Sequence, residues 1–441
     1  MEPQTIKLFT LFSGYESQMM ALEVATKNST LKAELVGWSE IDTIVQAVHN
    51  AAYPEYADRC YPDVTKINWD KVGDFDILFA SSPCQDVSKA GKRRGMRKDS
   101  ETRSSLVWEV EKAIAIKRPK WFIEENVAGM LDYMDDFEPL VRSLSSYGYV
   151  CYYKVLKGSD YGNSQNRPRL FLVAVRIDEG EPYPTFKWPE TMEPQSTPED
   201  YLSDYVDDRF YLTEDETAVY TDLLRNARNG YTPACTTHGK SPRRFYNRQF
   251  IRCVDRMVTP LCANGAIPTL TTAVQGVCIE SMAGCRKENQ ACVVEIWEGV
   301  PGLKPQTTTE KPFNRKIMAK KPCRDASRVL DFMSNIKEGQ YVRVRSLTPE
   351  ECLRFMGVRE KHLRRIKQPR QYLLQAGYTE GQLKRVLRHR IFPGHFSDYA
   401  LYGRAGNSII VDVIAAIFSA IIEQGYNSPE KATPEATQET A

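Results

Sequence analysis

The chain has 441 residues, with 59 Lys and Arg against 57 Asp and Glu and a formal net charge of +2. At about 100–200 residues per domain it is long enough for two or three domains with real cores. Its charged share of 26% and hydrophobic share of 42% exclude wholesale disorder and collagen-like structure. The longest apolar run, Ile409 to Ile422, is broken by Asp412 and Ser419 and falls short of the roughly 18 residues of a membrane span. No basic segment precedes an apolar one at the N-terminus, so neither a membrane partner nor a secretory signal is expected. So small a net charge also speaks, on its face, against a nucleic-acid partner.

Over the first 176 residues short β-rich runs alternate with helical patterns, which predicts a parallel sheet covered by helices. Strands are expected at Lys7–Ser13, Glu34–Ser39, Asp76–Ala80, Trp121–Glu124, Tyr149–Leu156 and Leu170–Arg176. Helices are expected at Glu16–Thr26, Thr43–Ala52, Ser104–Lys117 and Asp136–Ser145. From 178 to 222 fourteen acidic residues face only Lys187 and Arg209, the composition of a solvated boundary. Residues 225–345 turn basic and lose the alternation, which predicts a second lobe. Residues 359–390 hold ten Lys and Arg against Glu360 and Glu380. Like charges at that density repel without a polyanion, which favours a phosphate-contacting insert over a solvated helical pair. The tail after Gly425 is poor in apolar residues and is expected to be disordered. The net +2 is therefore a cancellation, with −12 over 178–222 and +8 over 359–390.

Eleven cysteines, seven of them between Cys235 and Cys323, include no C-x-x-C pair. Cys235 with His238, and the seven-residue spacings of Cys278, Cys285 and Cys292, suit a zinc knuckle poorly. Free thiols in a reducing cytosol, and no metal site, are expected.

The sharpest chemical signal is Ser81-Ser82-Pro83-Cys84-Gln85, directly after an apolar strand. Taken alone, such a cysteine is more often a small buried hydrophobe. The following DVSKAGKRRGMRKDS is polar, carries six Lys and Arg, and has Gly91 and Gly95 as hinges. A thiol at a strand end under a basic loop is where a thiolate could meet an anionic substrate. Glu124 and Glu125 end the next apolar strand, either at a solvent-facing strand end or in a dry site where one carboxyl can act as a proton donor. Arg167 and Arg169, at i and i+2 on an extended segment, point to one face and could reach one site. Leu11-Phe12-Ser13-Gly14 is a single-glycine strand-to-helix turn, and Glu40 lies 26 residues beyond Gly14, where an acidic residue accepts from ribose hydroxyls. Glu16 sits near where a pyrophosphate would lie, and its charge suits a cationic adenosyl cofactor better.

The ordered series LFSG, PCQ-x-x-S-x-A-G, ENV, Q-x-R-x-R, R-S-L-T-P-E-E and A-G-N-S-I resembles the motifs of the DNA cytosine-C5 methyltransferases over residues 8–176 and 343–420. The resemblance implies an α/β, Rossmann-like S-adenosylmethionine-dependent methyltransferase sheet with a second, smaller mixed target-recognition domain. It divides the chain into a catalytic domain, 1–178, to which 397–427 returns; a target-recognition domain, 179–345; a hinge and basic insert, 346–396; and the tail, 428–441. It implies Cys84 as the nucleophile on cytosine C6, Glu125 on N3 and the exocyclic amine, and Arg169, supported by Arg167, on O2. S-adenosylmethionine would be held by Phe12, Gly14, Glu40, Asp63, Pro83, Leu106, Asn407 and Ser408. The implied partner is duplex DNA, bound by a monomer in the cytoplasm, with a cognate restriction endonuclease left open.

The family's first motif is commonly Phe-x-Gly-x-Gly-Gly, where this chain has Glu16 and Ser17, and the stretch 359–396 is longer than the usual connection. Lys240, Arg243, Arg244, Arg248, Arg252 and Arg256, interleaved with Phe245, Tyr246 and Phe250, suit phosphate and base contacts, and Thr269-Leu270 resembles a feature near the recognition domain's end. Two alternatives stand beside this reading: an RNA methyltransferase of the same fold, and a DNA-binding relative without activity. The latter fits poorly with Cys84, Glu125, Arg167 and Arg169 all being present.

Overall fold

The computed structural model describes residues 4–84, 102–193, 195, 197–211, 214, 217, 267–268, 292–298, 314–318 and 336–426. The basic loop after Cys84, the 240–256 cluster, Thr269-Leu270, the candidate zinc ligands other than Cys292, and the tail lie outside them. The N-terminal part builds strands Thr5–Leu11 (β1), Lys32–Ser39 (β2), Ile77–Ala80 (β3), Trp121–Val127 (β4), Tyr149–Lys157 (β5), Gln165–Asn166 (β6) and Pro168–Arg176 (β7). Between them lie helices Ser17–Thr26 (α1), Thr43–Ala52 (α2), Val107–Lys117 (α3) and Met134–Ser146 (α4).

Six of these strands form one sheet in the order β2–β1–β3–β4–β7–β5. β1 to β4 run parallel, but β7 is antiparallel to both β4 and β5. The parallel sheet expected from the sequence is thus a mixed one. The reason is local: β5 and β7 are joined without a crossover helix, and a short link returns the chain antiparallel.

The sheet is buried on both faces, so its strands read as continuous apolar runs with a hidden alternation. Ile6, Leu8, Ile77, Phe79, Ile123, Phe171 and Val173 face one side, and Leu78, Ala80, Phe122, Leu170, Leu172 and Ala174 the other. The first side carries α1, α2 and Val411–Gly425 (α10), whose Phe418 ring meets Phe79 edge-on at 6.1 Å. The second carries α3 and α4. α10 packs along α1, so its apolar residues belong to the core. Among the described residues no single helix is long and apolar enough to cross a membrane.

Ile267–Pro268 (β8) pairs parallel with β6, and a further, antiparallel sheet joins Asn314–Met318 (β10), Cys292–Glu298 (β9) and Gln340–Ser346 (β11) in that order. The fully buried Arg345 ties this sheet to the chain that follows it. The guanidinium bonds Glu295 at 2.7 Å and, through both terminal nitrogens, Glu351 at 2.9 Å. Burial alone would lower its proton affinity, but the two carboxylates raise it. Glu351 also closes a capping box with Thr348 at the start of Pro349–Phe355 (α5). The motif R-S-L-T-P-E-E is thereby explained as architecture: its arginine and last glutamate are one buried ion pair.

The insert forms Glu360–Lys367 (α6), Pro369–Gln375 (α7) and Glu380–Val386 (α8), of which α6 and α7 pack on α2. The argument from mutual repulsion does not hold there. Arg359, Lys361, Arg365, Lys367 and Arg370 pair with Asp412, Glu23, Glu55, Glu350 and Glu380 at 2.5–3.2 Å. Four of these five carboxylates lie outside 359–390 in the sequence. Arg364, Lys384, Arg385, Arg388 and Arg390 remain exposed, with no carboxylate partner among the described residues.

Candidate active site

The motifs converge at the carboxyl ends of β1 to β4, where open α/β sheets bind ligands. All four residues of the central β3 are buried, and the chain leaves it as Ser81-Ser82-Pro83-Cys84. That turn is pinned from three directions. Ser82 donates both its N–H, at 3.2 Å, and its hydroxyl to Glu124 Oε1. Asn126 Nδ2 donates to Ser82 O at 3.2 Å, and Ser104 Oγ to Pro83 O at 2.7 Å. Glu124 and Asn126, two apart on β4, share a face, and Glu125 between them points the other way.

Glu125 is buried and pairs with Arg169 Nε at 3.1 Å. Burial raises its carboxyl above the usual range, and Arg169 and Arg167 offset part of that. Cys84 is half-buried. Burial and then the Glu125 charge push its thiol up, while Arg169 and Arg167 pull it down. At rest the site therefore holds a neutral thiol beside a carboxyl whose proton affinity burial raises. Glu124 is pushed up to about 8 by burial, with the Ser82 bonds opposing, and its second oxygen has no partner among the described residues.

The two arginines divide their work. Arg169 faces Glu125, whereas Arg167, 3% exposed, donates to the carbonyls of Gly406 and Ser408 at 2.7 Å. The expectation that both reach one target is modified accordingly: Arg167 ties the catalytic centre to the end of Asp398–Asn407 (α9). The same tie brings Asn407 and Ser408 to the start of α1, where Ser408 Oγ lies 3.4 Å from Ser17 Oγ.

Next to this centre the turn after β1 has three residues with positive φ: Phe12 (56°), Gly14 (60°) and Glu16 (73°). Glycine adopts that conformation freely, whereas other residues there cost about 1–3 kcal/mol each. Gly14 N–H donates to Glu40 Oε2 at 3.3 Å, and burial raises the Glu40 carboxyl. A Cβ on Gly14 would meet nothing within 4 Å, so the turn borders open space. Tyr61 N–H donates to Trp38 O at 2.7 Å, which extends the edge of β2 and brings Asp63 to the same end of the sheet. Asp63 caps a turn through Thr65 at 2.7 Å and pairs with Lys66 at 3.0 Å, contacts that lower its carboxyl. Pro83 shares the Cys84 turn, and Leu106 opens α3 against the same core.

Glu16 departs from its expected position. Its side chain is fully buried, accepting from Thr10 Oγ1 at 2.9 Å and facing His49 Nε2 at 3.2 Å. It points into the core and does not line a pyrophosphate or adenosyl group; an apolar interior offered it a histidine and a hydroxyl that the sequence does not place nearby. Ser82, Ser104 and the pinning role of Glu124 were likewise not singled out from sequence. The available signal was the Glu124-Glu125 doublet, in which alternation allows only one of the two to face the thiol.

A mixed α/β sheet with a cysteine, a buried acid and an arginine at its carboxyl end, beside a glycine turn and an acidic acceptor, defines a nucleotide-cofactor-dependent group-transfer enzyme. The family model for C-5 cytosine-specific DNA methylase matches residues 6–377. The chain belongs to that family and is a DNA (cytosine-5-)-methyltransferase. It is 24% identical to the orphan methyltransferase M.SPRI of Bacillus phage SPR, over 96% of this chain and 98% of the phage protein. It is 36% identical to the type II methyltransferase M.NgoBV of Neisseria gonorrhoeae over 38% of this chain and 41% of that one. Among solved structures, the Entamoeba histolytica methyltransferase EhMeth has a TM-score of 0.54 at 14% identity, covering 95% of this chain and 98% of its own. S. pombe Dnmt2 methyltransferase has a TM-score of 0.52 at 14% identity, covering 95% and 98%. These two likenesses concern the fold. The family and fold imply S-adenosylmethionine as methyl donor and duplex DNA as substrate.

Proposed function

We propose that Cys84, Glu125, Arg169 and Arg167 methylate C5 of a cytosine flipped out of duplex DNA. The observation that carries this reading is the Glu125–Arg169 pair at 3.1 Å beside a thiol whose charge state both of them set. A C5 atom inside the stack is out of reach of such a thiol, so the base leaves the helix at a cost of a few kcal/mol, offset by protein contacts. Glu125, its protonated form favoured by burial, donates to N3 and accepts from the exocyclic amine, while Arg169 holds O2. The Cys84 thiol gives its proton to solvent as the base fills the site, and its thiolate bonds to C6. The π pair of the C5–C6 bond is thereby released onto C5. After methylation a base removes the C5 proton, the double bond reforms and the Cys84 sulfur leaves C6.

The open space at Gly14 and the acidic acceptor Glu40 fit an adenosyl cofactor. Phe12, Gly14, Glu40, Asp63, Pro83, Leu106, Asn407 and Ser408 would hold S-adenosylmethionine, which when bound supplies an electrophilic methyl group. The protein acts as a monomer on cytoplasmic DNA in this reading. The test is a covalent trap: duplex DNA carrying 5-fluorocytosine should remain attached to Cys84, because fluorine at C5 cannot leave as a proton. Cys84→Ser should neither trap nor transfer labelled methyl groups. Methylation without trapping in the wild type would move the nucleophile elsewhere.

A further inference from the structure

Glu16 stands where the family commonly has a glycine, and its backbone takes the left-handed conformation that glycine provides without strain (φ 73°, ψ 49°). A fully buried carboxylate in a strained turn persists only where its surroundings hold it. Here the holders are identifiable. Thr10, on β1, donates to Oε2, and His49, on α2, faces the same oxygen. His49 is itself fixed: its ring stacks on Trp38 of β2 at 3.6 Å and 17°, and its Nδ1 lies 3.2 Å from Asn50 Oδ1. Asn50 Nδ2 donates onward to the Tyr378 hydroxyl, between α7 and α8, at 3.1 Å. The outer clamp on α2 is the insert, whose Arg365 also reaches Ala52 O at 2.7 Å.

The other side of the same turn is the cofactor side. Ser13 N–H donates to Ser39 O at 3.0 Å, Gly14 N–H to Glu40, and Glu16 N–H back to Ser13 O at 3.0 Å. Moving Glu16 would therefore move Gly14 against Glu40. A glycine would leave this turn free to choose its backbone angles, and the buried carboxylate removes that choice.

We propose that Glu16, gripped by Thr10 and His49, is a positioning residue that sets the S-adenosylmethionine-binding turn from inside the core. The inference rests on the cofactor reading given above. Its effect falls on affinity for the methyl donor and leaves DNA binding alone, because the brace lies behind the turn and, among the described residues, bonds to neither the Cys84 turn nor the β10–β9–β11 sheet.

The test uses the full chain, calorimetric titration with S-adenosylhomocysteine, and duplex DNA binding in parallel. Thr10→Val and His49→Phe, the latter keeping the stack on Trp38, should each weaken S-adenosylhomocysteine binding three- to ten-fold. DNA affinity should stay within two-fold, and KM for the methyl donor should rise with kcat retained. Glu16→Leu, which removes the carboxyl that Thr10 and His49 meet, should weaken binding ten-fold or more. Glu16→Gln, which keeps an acceptor oxygen at the same reach, should restore it to within three-fold. Folded Thr10→Val, His49→Phe and Glu16→Leu variants that bind S-adenosylhomocysteine as the wild type does would overturn the proposal. Equal losses for both ligands would also overturn it, since Glu16 would then support the fold at large. A wild-type protein that binds no S-adenosylhomocysteine would instead overturn the cofactor reading beneath it.

Discussion

Replacing Glu124 by Gln tests how the catalytic turn is held. Glu124 is 2% exposed, and burial lifts its carboxyl from 4.5 to about 8. At about 1.4 kcal/mol per pH unit, that lift corresponds to a ceiling of about 5 kcal/mol between its two charge states in the folded protein. The direction follows from proton counting: between these values the folded chain keeps a proton that the unfolded chain has released. Stability is therefore complete below about pH 4.5 and declines as pH rises towards about 8. Glutamine mimics the neutral acid, and its carbonyl oxygen can still accept both Ser82 bonds. Glu124→Gln should match the wild type near pH 5 and exceed it by several kcal/mol near pH 9, read from urea unfolding midpoints with unchanged slopes. A difference that stays constant over that range would refute the reasoning, as would a variant that is less stable at high pH. Either result would mean that Glu124 is ionised and satisfied in the folded state.

Three further outcomes are expected. The rate of methyl transfer should rise with pH as Cys84 ionises and fall as Glu125 loses its proton; Arg169→Ala should move both limbs to higher pH, because Arg169 lowers both groups. An unshifted single-turnover profile would remove Arg169 from the electrostatics of the site. Arg345→Met should cost about 3–5 kcal/mol in denaturant unfolding, because Glu295 and Glu351 are left buried without their cation; a loss under about 1 kcal/mol would refute a structural role for the pair. Replacing Arg364, Arg388 and Arg390 by Gln should flatten the slope of log affinity for duplex DNA against log salt by about 2–3, whereas an unchanged slope would make this face of the insert merely solvated.

Much of the molecule follows from the order of its residues. The sheet and its helices were visible because apolar period and turn residues are local properties, and Cys84 and Glu125 because each closes an apolar strand. Strand direction was not legible from those properties: β7 runs antiparallel because a short link, with no crossover helix, joins it to β5. Nor was the direction of a side chain. Glu16 looked placed beside a bound cofactor until His49 and Thr10 were set around it, and Arg167 looked like a twin of Arg169 until the carbonyls at 406 and 408 came within reach. Charge shows the division most clearly. The sequence by itself determined that ten cations lie in 359–390; the tertiary structure decided that half of them are neutralised, four by Glu23, Glu55, Glu350 and Asp412 brought from elsewhere in the chain. A residue's charge is its own, but its electrostatic meaning depends on partners that only folding brings near.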